Sequence, residues 1–102
     1  MKSIIIKKNL NLKDGTVLPI GTELSFVRPH AEKPTLGYFA ARDREYREFC
    51  LRYSGIMKAP SLKVLERMSD DGVCKTVLGA KAEPDGYGPH GEPSWLLALG
   101  LI

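Results

Sequence analysis

The sequence predicts an α+β chain, built as a small SH3-like antiparallel β-barrel with an appended helix, hairpin and short helix. Three observations carry that expectation. Residues 1–57 divide into short strand candidates separated by Gly and Pro, the pattern of a small antiparallel barrel. Residues 59–72 then show a helix-start signal, apolar side chains spaced by three, and a glycine stop. Residues 84–92 hold three glycines and two prolines, and lead into an apolar segment with the only tryptophan, Trp95. At 102 residues a single domain is expected, with a barrel part over 1–57 and a helix–hairpin–helix extension over 58–102.

The elements follow in order. Ser3 to Lys8 is Ile-rich, as a strand should be, and Lys13-Asp14-Gly15 is a turn signal before the short strand Thr16-Val17-Leu18. From Thr22 to Arg28, polar and apolar residues alternate with period two, which places Leu24 and Phe26 on one face. Pro29 and Pro34 bracket a loop, and Leu36 to Arg42 returns as a strand. The stretch 45–53 fits two patterns. Tyr46, Phe49, Cys50 and Tyr53 form a helical stripe, while Asp43-Arg44 as a tight turn into an aromatic-rich run favours a last strand, which is the reading preferred here. Pro60 and Ser61 start a helix carrying Leu62, Leu65 and Met68, and Gly72 stops it. Residues 73–83 read as a hairpin, and Pro93, as the first helical residue, opens a short helix closed by Gly100. Leu62, Leu65, Met68, Trp95, Leu96 and Leu99 are expected to be buried, and the terminal Leu101-Ile102 needs burial in the core or against a partner.

Composition bounds the function. The chain is 43% hydrophobic and 26% charged, the values of an ordinary globular domain. No run reaches the ~18–20 apolar residues of a membrane span, and the apolar part of Met1–Lys8 is too short for a signal peptide. A cytoplasmic protein is therefore expected. Residues 1–57 carry ten Lys/Arg and six Asp/Glu, a net of +4, and residues 58–102 carry five and six, a net of −1, which together give the overall +3. That modest basicity permits a nucleic-acid partner without requiring one. Cys50 and Cys74 lack metal-ligand spacing with His30 or His90, so small buried hydrophobes are the expectation and no metal or other cofactor is.

Four constellations are candidates for function. The helix 60–70 and the hairpin 73–83 outline a winged-helix or excisionase-type DNA reader, with Lys63 and Arg67 on one helix face and Lys75 and Lys81 on the wing. Glu66, Asp70 and Asp71 crowd that surface and would repel phosphates. Glu83, Asp85, His90 and Glu92 share one loop and could support acid–base chemistry, although no nucleophile, phosphate-loop or zincin pattern accompanies them. Arg42, Arg44, Arg47 and Arg52, interleaved with Tyr38, Tyr46 and Tyr53, could bind a partner, a single strand or an anionic nucleotide, since Arg clamps phosphates bidentately. Tyr87 and Trp95 are either partner contacts or, for Trp95, the centre of a small core.

The segments Leu12–Thr22, Pro60-Ser61-Leu62, Asp71-Gly72-Val73, Glu83-Pro84-Asp85-Gly86 and Gly91–Gly100 resemble small uncharacterised proteins encoded by bacteriophages and prophages. The resemblance brings no catalytic residues. It implies a viral protein in a bacterial cytoplasm, where such accessory proteins block or sequester a host component by stoichiometric binding. The expectation is an inhibitor of a host protein, such as a defence component, and not an enzyme. A small DNA-binding regulator and a nucleotide-sequestering protein are the alternatives.

Overall fold

Among the described residues, eight strands and three α-helices follow one another along the chain. The computed structural model describes residues 3–102, so the first two positions of the Met1–Lys8 segment lie outside the described residues. The first half contains β1 (Ser3–Ile5), β2 (Leu10–Asn11), β3 (Val17–Leu18), β4 (Glu23–Pro29), β5 (Leu36–Ala41) and β6 (Arg47–Arg52). The second half contains α1 (Tyr53–Ile56), α2 (Leu62–Asp71), β7 (Cys74–Lys75), β8 (Lys81–Ala82) and α3 (Trp95–Ala98).

The principal sheet is antiparallel, in the order β1-β4-β5-β6. Its inner face carries Leu24 and Phe26 on β4, the pair the sequence placed on one face, with Phe39 and Ala41 on β5 and Phe49 and Leu51 on β6, all buried. Phe26 and Phe39 are register partners and meet edge to face at 5.7 Å. The sheet stays open, with β1 and β6 at its two edges, and no closed barrel forms among the described residues. The β2–β3 hairpin is tied at its base by Asn9, whose side-chain oxygen accepts from the Ile20 N–H at 2.7 Å.

The stretch 45–53 resolves into a strand over Arg47–Arg52, because β5 supplies a ladder partner for each of its residues. It is reached through a 3-10 turn at Arg42–Arg44 followed by Glu45 and Tyr46, both left-handed (φ 56° and 60°). Tyr53 leaves the strand as the first residue of α1, a single turn the sequence pattern did not suggest. Its ring lies fully buried against Phe26 and Phe39.

In the second half, Ser61 caps α2 by accepting from the Val64 N–H, and Gly72 ends it in the left-handed region (φ 70°). The helix packs through Leu65 and Met68 against β7 and α3. Its first turn overhangs that contact, so Leu62 is 66% exposed and not the core residue expected. Trp95 and Leu96 are buried, and Leu99 is partly so. Pro93 is not the first residue of α3. It precedes the cap Ser94, whose hydroxyl oxygen accepts from the Leu97 N–H at 3.2 Å. Leu101 and Ile102 remain exposed, because the chain leaves the core surface after Gly100. Cys74 is buried as expected, while Cys50 is exposed on the outer face of β6, and both thiols are free.

Candidate binding cleft

The sequence Ile4-Ile5-Ile6-Lys7-Lys8 sets up the most distinctive surface of the molecule. Three consecutive apolar residues on a strand cannot all face one side. Ile6 is buried and Ile4 partly so, while Ile5 is 63% exposed. Backbone hydrogen bonds show which way the strand faces. Ile6 donates to the Thr22 carbonyl at 3.1 Å, and its own carbonyl accepts from the Gly21 N–H at 2.9 Å. Because backbone groups alternate sides along an antiparallel strand, Ser3 and Ile5 turn their N–H and C=O groups away from β4, toward the open edge.

That edge borders a cleft of about 450 Å3, walled by residues 4–8 on one side and 54–58 on the other. Ile4, Ile5, Ile56 and Met57 make it predominantly apolar. Among the described residues its ionisable lining is Lys7, Lys8 and Lys58, without a carboxylate. The three ammonium groups make no ion pair among the described residues. Glu23, the register partner of Ile5, is engaged by Arg42 at 3.8 Å. A second cleft, of about 550 Å3, between residues 11–14 and 47–50 differs in kind. There Lys13 and Arg47 face Asp14 and Glu48, and Arg47 pairs with Asp14 at 2.8 Å.

The arginines foreseen as an anion or partner site do not converge. Arg42 holds Glu23, and Arg44 donates to the Val17 carbonyl at 2.9 Å. Arg47 is bound to Asp14 and lies over the Phe49 ring at 4.9 Å. Arg52 sits at the far end of β6, some five residues or about 16 Å along the strand from Arg47. Tyr87 is exposed on the 83–93 loop, bridged to Pro93. Arg28 instead makes the organised contact that sequence reasoning missed. It pairs with Glu48 at 2.7 Å and lies 4.4 Å from the centre of the Tyr38 ring, on which His30 also stacks.

The DNA-reading set is partly assembled. Lys75 and Lys81 are register partners on β7 and β8, so their side chains share a face. Lys63 and Arg67 point away from Leu65, on the solvent side of α2, with Asp70 one turn beyond Arg67 on the same side.

The acidic loop is built around one buried group. Glu83, Asp85 and His90 are exposed, whereas Glu92 is fully buried. Its carboxylate accepts from the Thr76 hydroxyl at 2.8 Å and from the His90 N–H at 2.9 Å. The His90 imidazole takes no part in that bond, so the acid–base constellation is not gathered at one point. Burial, then the nearby charge of Glu92, pushes the Tyr53 phenol well above its ordinary value, with smaller contributions from Cys50 and Tyr87. Among the described residues, no three His, Cys, Asp or Glu side chains are placed to share a metal ion, and no helix is long and apolar enough to cross a membrane.

The sequence signalled one wall of the cleft, though not its juxtaposition with residues 54–58. A run of three isoleucines followed by two lysines implies a strand that is apolar on both faces and basic at its end. No family model matches the chain, and neither the curated proteins nor the solved structures contain a match to it.

Proposed function

We propose that this chain is a phage accessory protein that acts by stoichiometric binding of a host protein, inhibiting a component such as one of the host's defences. The observation that supports the reading is the combination at β1: an unpaired strand edge, an exposed Ile5 and an apolar cleft with lysines alone on its rim. A free strand edge beside an apolar cleft is a surface suited to a protein partner. In this reading the cleft is the open seam of an SH3-like barrel, and the protein works by occupancy and not by turnover. The phage origin and the bacterial cytoplasm rest on the resemblance of its turn and C-terminal segments.

One observation favours a second reading. The shared face of Lys75 and Lys81 would suit the wing of a small DNA-binding regulator, with Lys63 and Arg67 on α2. Asp70 and Asp71 lie on the same helix and weaken a phosphate-tracking surface there. A nucleotide-sequestering role is less favoured, because Arg42 and Arg47 are each engaged by a carboxylate.

Affinity capture from bacterial lysate, with and without nuclease, separates these readings when both proteins and released small molecules are identified by mass spectrometry. A single host protein at equal stoichiometry, unaffected by nuclease, is the expected result. Nuclease-sensitive recovery that falls steeply with salt would replace the reading with the regulator, and a co-purifying nucleotide would replace both.

A further inference from the structure

We infer that the cleft between β1 and α1 takes an extended segment of a partner protein, rich in alternating acidic and apolar side chains, which adds to the sheet as a strand beside β1. The inference rests on the binding-protein reading above and assigns the chemistry of its site.

Backbone, apolar surface and charge each contribute. The outward N–H and C=O groups of Ser3 and Ile5 are free for an added strand to pair with, as in other complexes made by strand addition. An extended segment of about five residues spans roughly 17 Å, the reach of a typical strand. Its alternate side chains would point toward the apolar walls made by Ile4, Ile56 and Met57. The charge of the occupant follows from the rim. Among the described residues, Lys7, Lys8 and Lys58 are exposed, unpaired and unaccompanied by a carboxylate in the lining, so a cationic segment is repelled and an anionic one is attracted. The β1 segment of a second copy ends in Lys7 and Lys8 and carries no carboxylate, so charge disfavours it as the occupant.

The test uses the full chain and a fluorescein-labelled peptide of alternating Glu and Val, eight residues long. Two further peptides carry N-methyl groups on either the odd or the even amides. The expected result is saturable binding, with amide shifts confined to residues 3–8 and 54–58 and slowed hydrogen exchange at Ile5. Binding should survive one N-methylated peptide and be lost with the other, because only one set of amides faces β1. The triple variant Lys7→Glu, Lys8→Glu, Lys58→Glu alters exposed side chains alone, retains the wild-type circular dichroism spectrum, and should weaken binding at least tenfold.

A peptide that fails to bind, or that shifts residues elsewhere, overturns the inference. Equal binding of both N-methylated peptides overturns strand addition in favour of a site for anionic amphiphiles such as dodecanoate. A dimer of the free chain that protects the Ile5 amide from exchange overturns it in favour of a second copy. Lysate capture keeps the two levels apart. A host protein captured equally by the wild type and the triple variant overturns the cleft assignment and leaves the binding reading standing. Failure of capture with the peptide bound at β1 overturns the host-protein reading and leaves the cleft chemistry in place.

Discussion

Thr76 donates its hydroxyl hydrogen to the Glu92 carboxylate at 2.8 Å, and neither side chain reaches solvent. The pair joins the 76–80 turn to the loop before α3, since the Thr76 hydroxyl oxygen also accepts from the Ala80 N–H and Glu92 accepts from the His90 N–H. Gly88 lies so close to the carboxylate that a Cβ there would collide with it. Glu92 therefore acts as the keystone of this loop.

Glu92→Ala leaves the Thr76 hydroxyl and the His90 N–H without their acceptor, at about 1–3 kcal/mol for each buried group. Urea denaturation should show a loss of about 2–4 kcal/mol. Glu92→Gln keeps an acceptor oxygen and should lose less than half as much. Equal losses from the two variants would mean that charge, and not hydrogen bonding, holds the loop.

The Tyr53 phenol packs on Gly37 so tightly that a Cβ at Gly37 would lie 2.5 Å from its oxygen, and among the described residues that oxygen has no hydrogen-bond partner. Tyr53→Phe removes a buried polar atom without opening a large cavity and should stabilise the fold by about 1 kcal/mol. Gly37→Ala should destabilise it by about 2 kcal/mol or more through overpacking. The pH dependence follows from the raised phenol value. Below the ordinary tyrosine value of about 10, both folded and unfolded chains keep the proton and stability is full. As pH rises above it, the unfolded chain ionises first and stability falls, continuing toward the raised folded value. Tyr53→Phe should show a shallower alkaline decline in thermal midpoint than the wild type.

Asp14 accepts from the Thr16 N–H at 2.9 Å, and its other oxygen pairs with Arg47 at 2.8 Å. The Thr16 backbone bond, then its hydroxyl and then Arg47, hold the carboxyl below its ordinary value. A depressed value means that the stability linked to Asp14 is present above about pH 4 and is lost as pH falls through the lower folded value. Carboxyl-carbon NMR should find the Asp14 midpoint below 3.8, the ordinary value, and Arg47→Ala should raise it only partway. A full return to 3.8 in that variant would mean that the ion pair, and not the turn, dominates.

Much of the fold was legible because it rests on local rules. The Asp-Gly turn, the period-two burial of Leu24 and Phe26, the Ser61 cap and the Gly72 stop are all readable within a few residues of chain. What escaped depended on distant neighbours. Whether 47–52 is strand or helix was decided by the β5 ladder, and whether Leu62 is buried was decided by where α2 meets β7. The candidate site was the least legible part. Four arginines looked like a patch, but ion pairs with Glu23 and Asp14, 19 and 33 residues away, disperse them. The β1 cleft needs residues 4–8 and 54–58 side by side, which no local pattern announces.

Glu45 and Tyr46 occupy successive left-handed positions ahead of β6, a conformation that costs a non-glycine residue about 1–2 kcal/mol. Glu45 is exposed, and its side chain has no hydrogen-bond or ion-pair partner among the described residues. Glu45→Gly should therefore raise stability by up to about 1 kcal/mol, after the greater freedom of glycine in the unfolded chain is offset. Glu45→Val, with a β-branched side chain in the same conformation, should lower it. The two thermal midpoints should move in opposite directions from the wild type, and a fall in both would mean that the Glu45 side chain itself stabilises the turn.

The C-terminal segment divides at Gly100 into a part the fold requires and a part it does not. Trp95, Leu96 and Ala98 are buried, and α3 touches both α2 and β7, so it closes one end of the core. Burying a large apolar side chain contributes about 1.5–3 kcal/mol, and Trp→Ala in a core typically costs about 3–5 kcal/mol. A domain of this size has only about 5–15 kcal/mol of stability in total. Deleting residues 95–102 should therefore abolish the cooperative thermal transition, and Trp95→Ala alone should lower the unfolding free energy by several kcal/mol. Removing Leu101 and Ile102, which are 51% and 58% exposed, should leave the midpoint within a few degrees of the wild type. A truncation at residue 94 that kept its midpoint would show that the sheet core stands without α3. A large loss from the two-residue truncation would instead place Leu101 and Ile102 in a contact that stabilises the fold, most directly through the Leu101 N–H that donates to the Leu96 carbonyl at 2.9 Å.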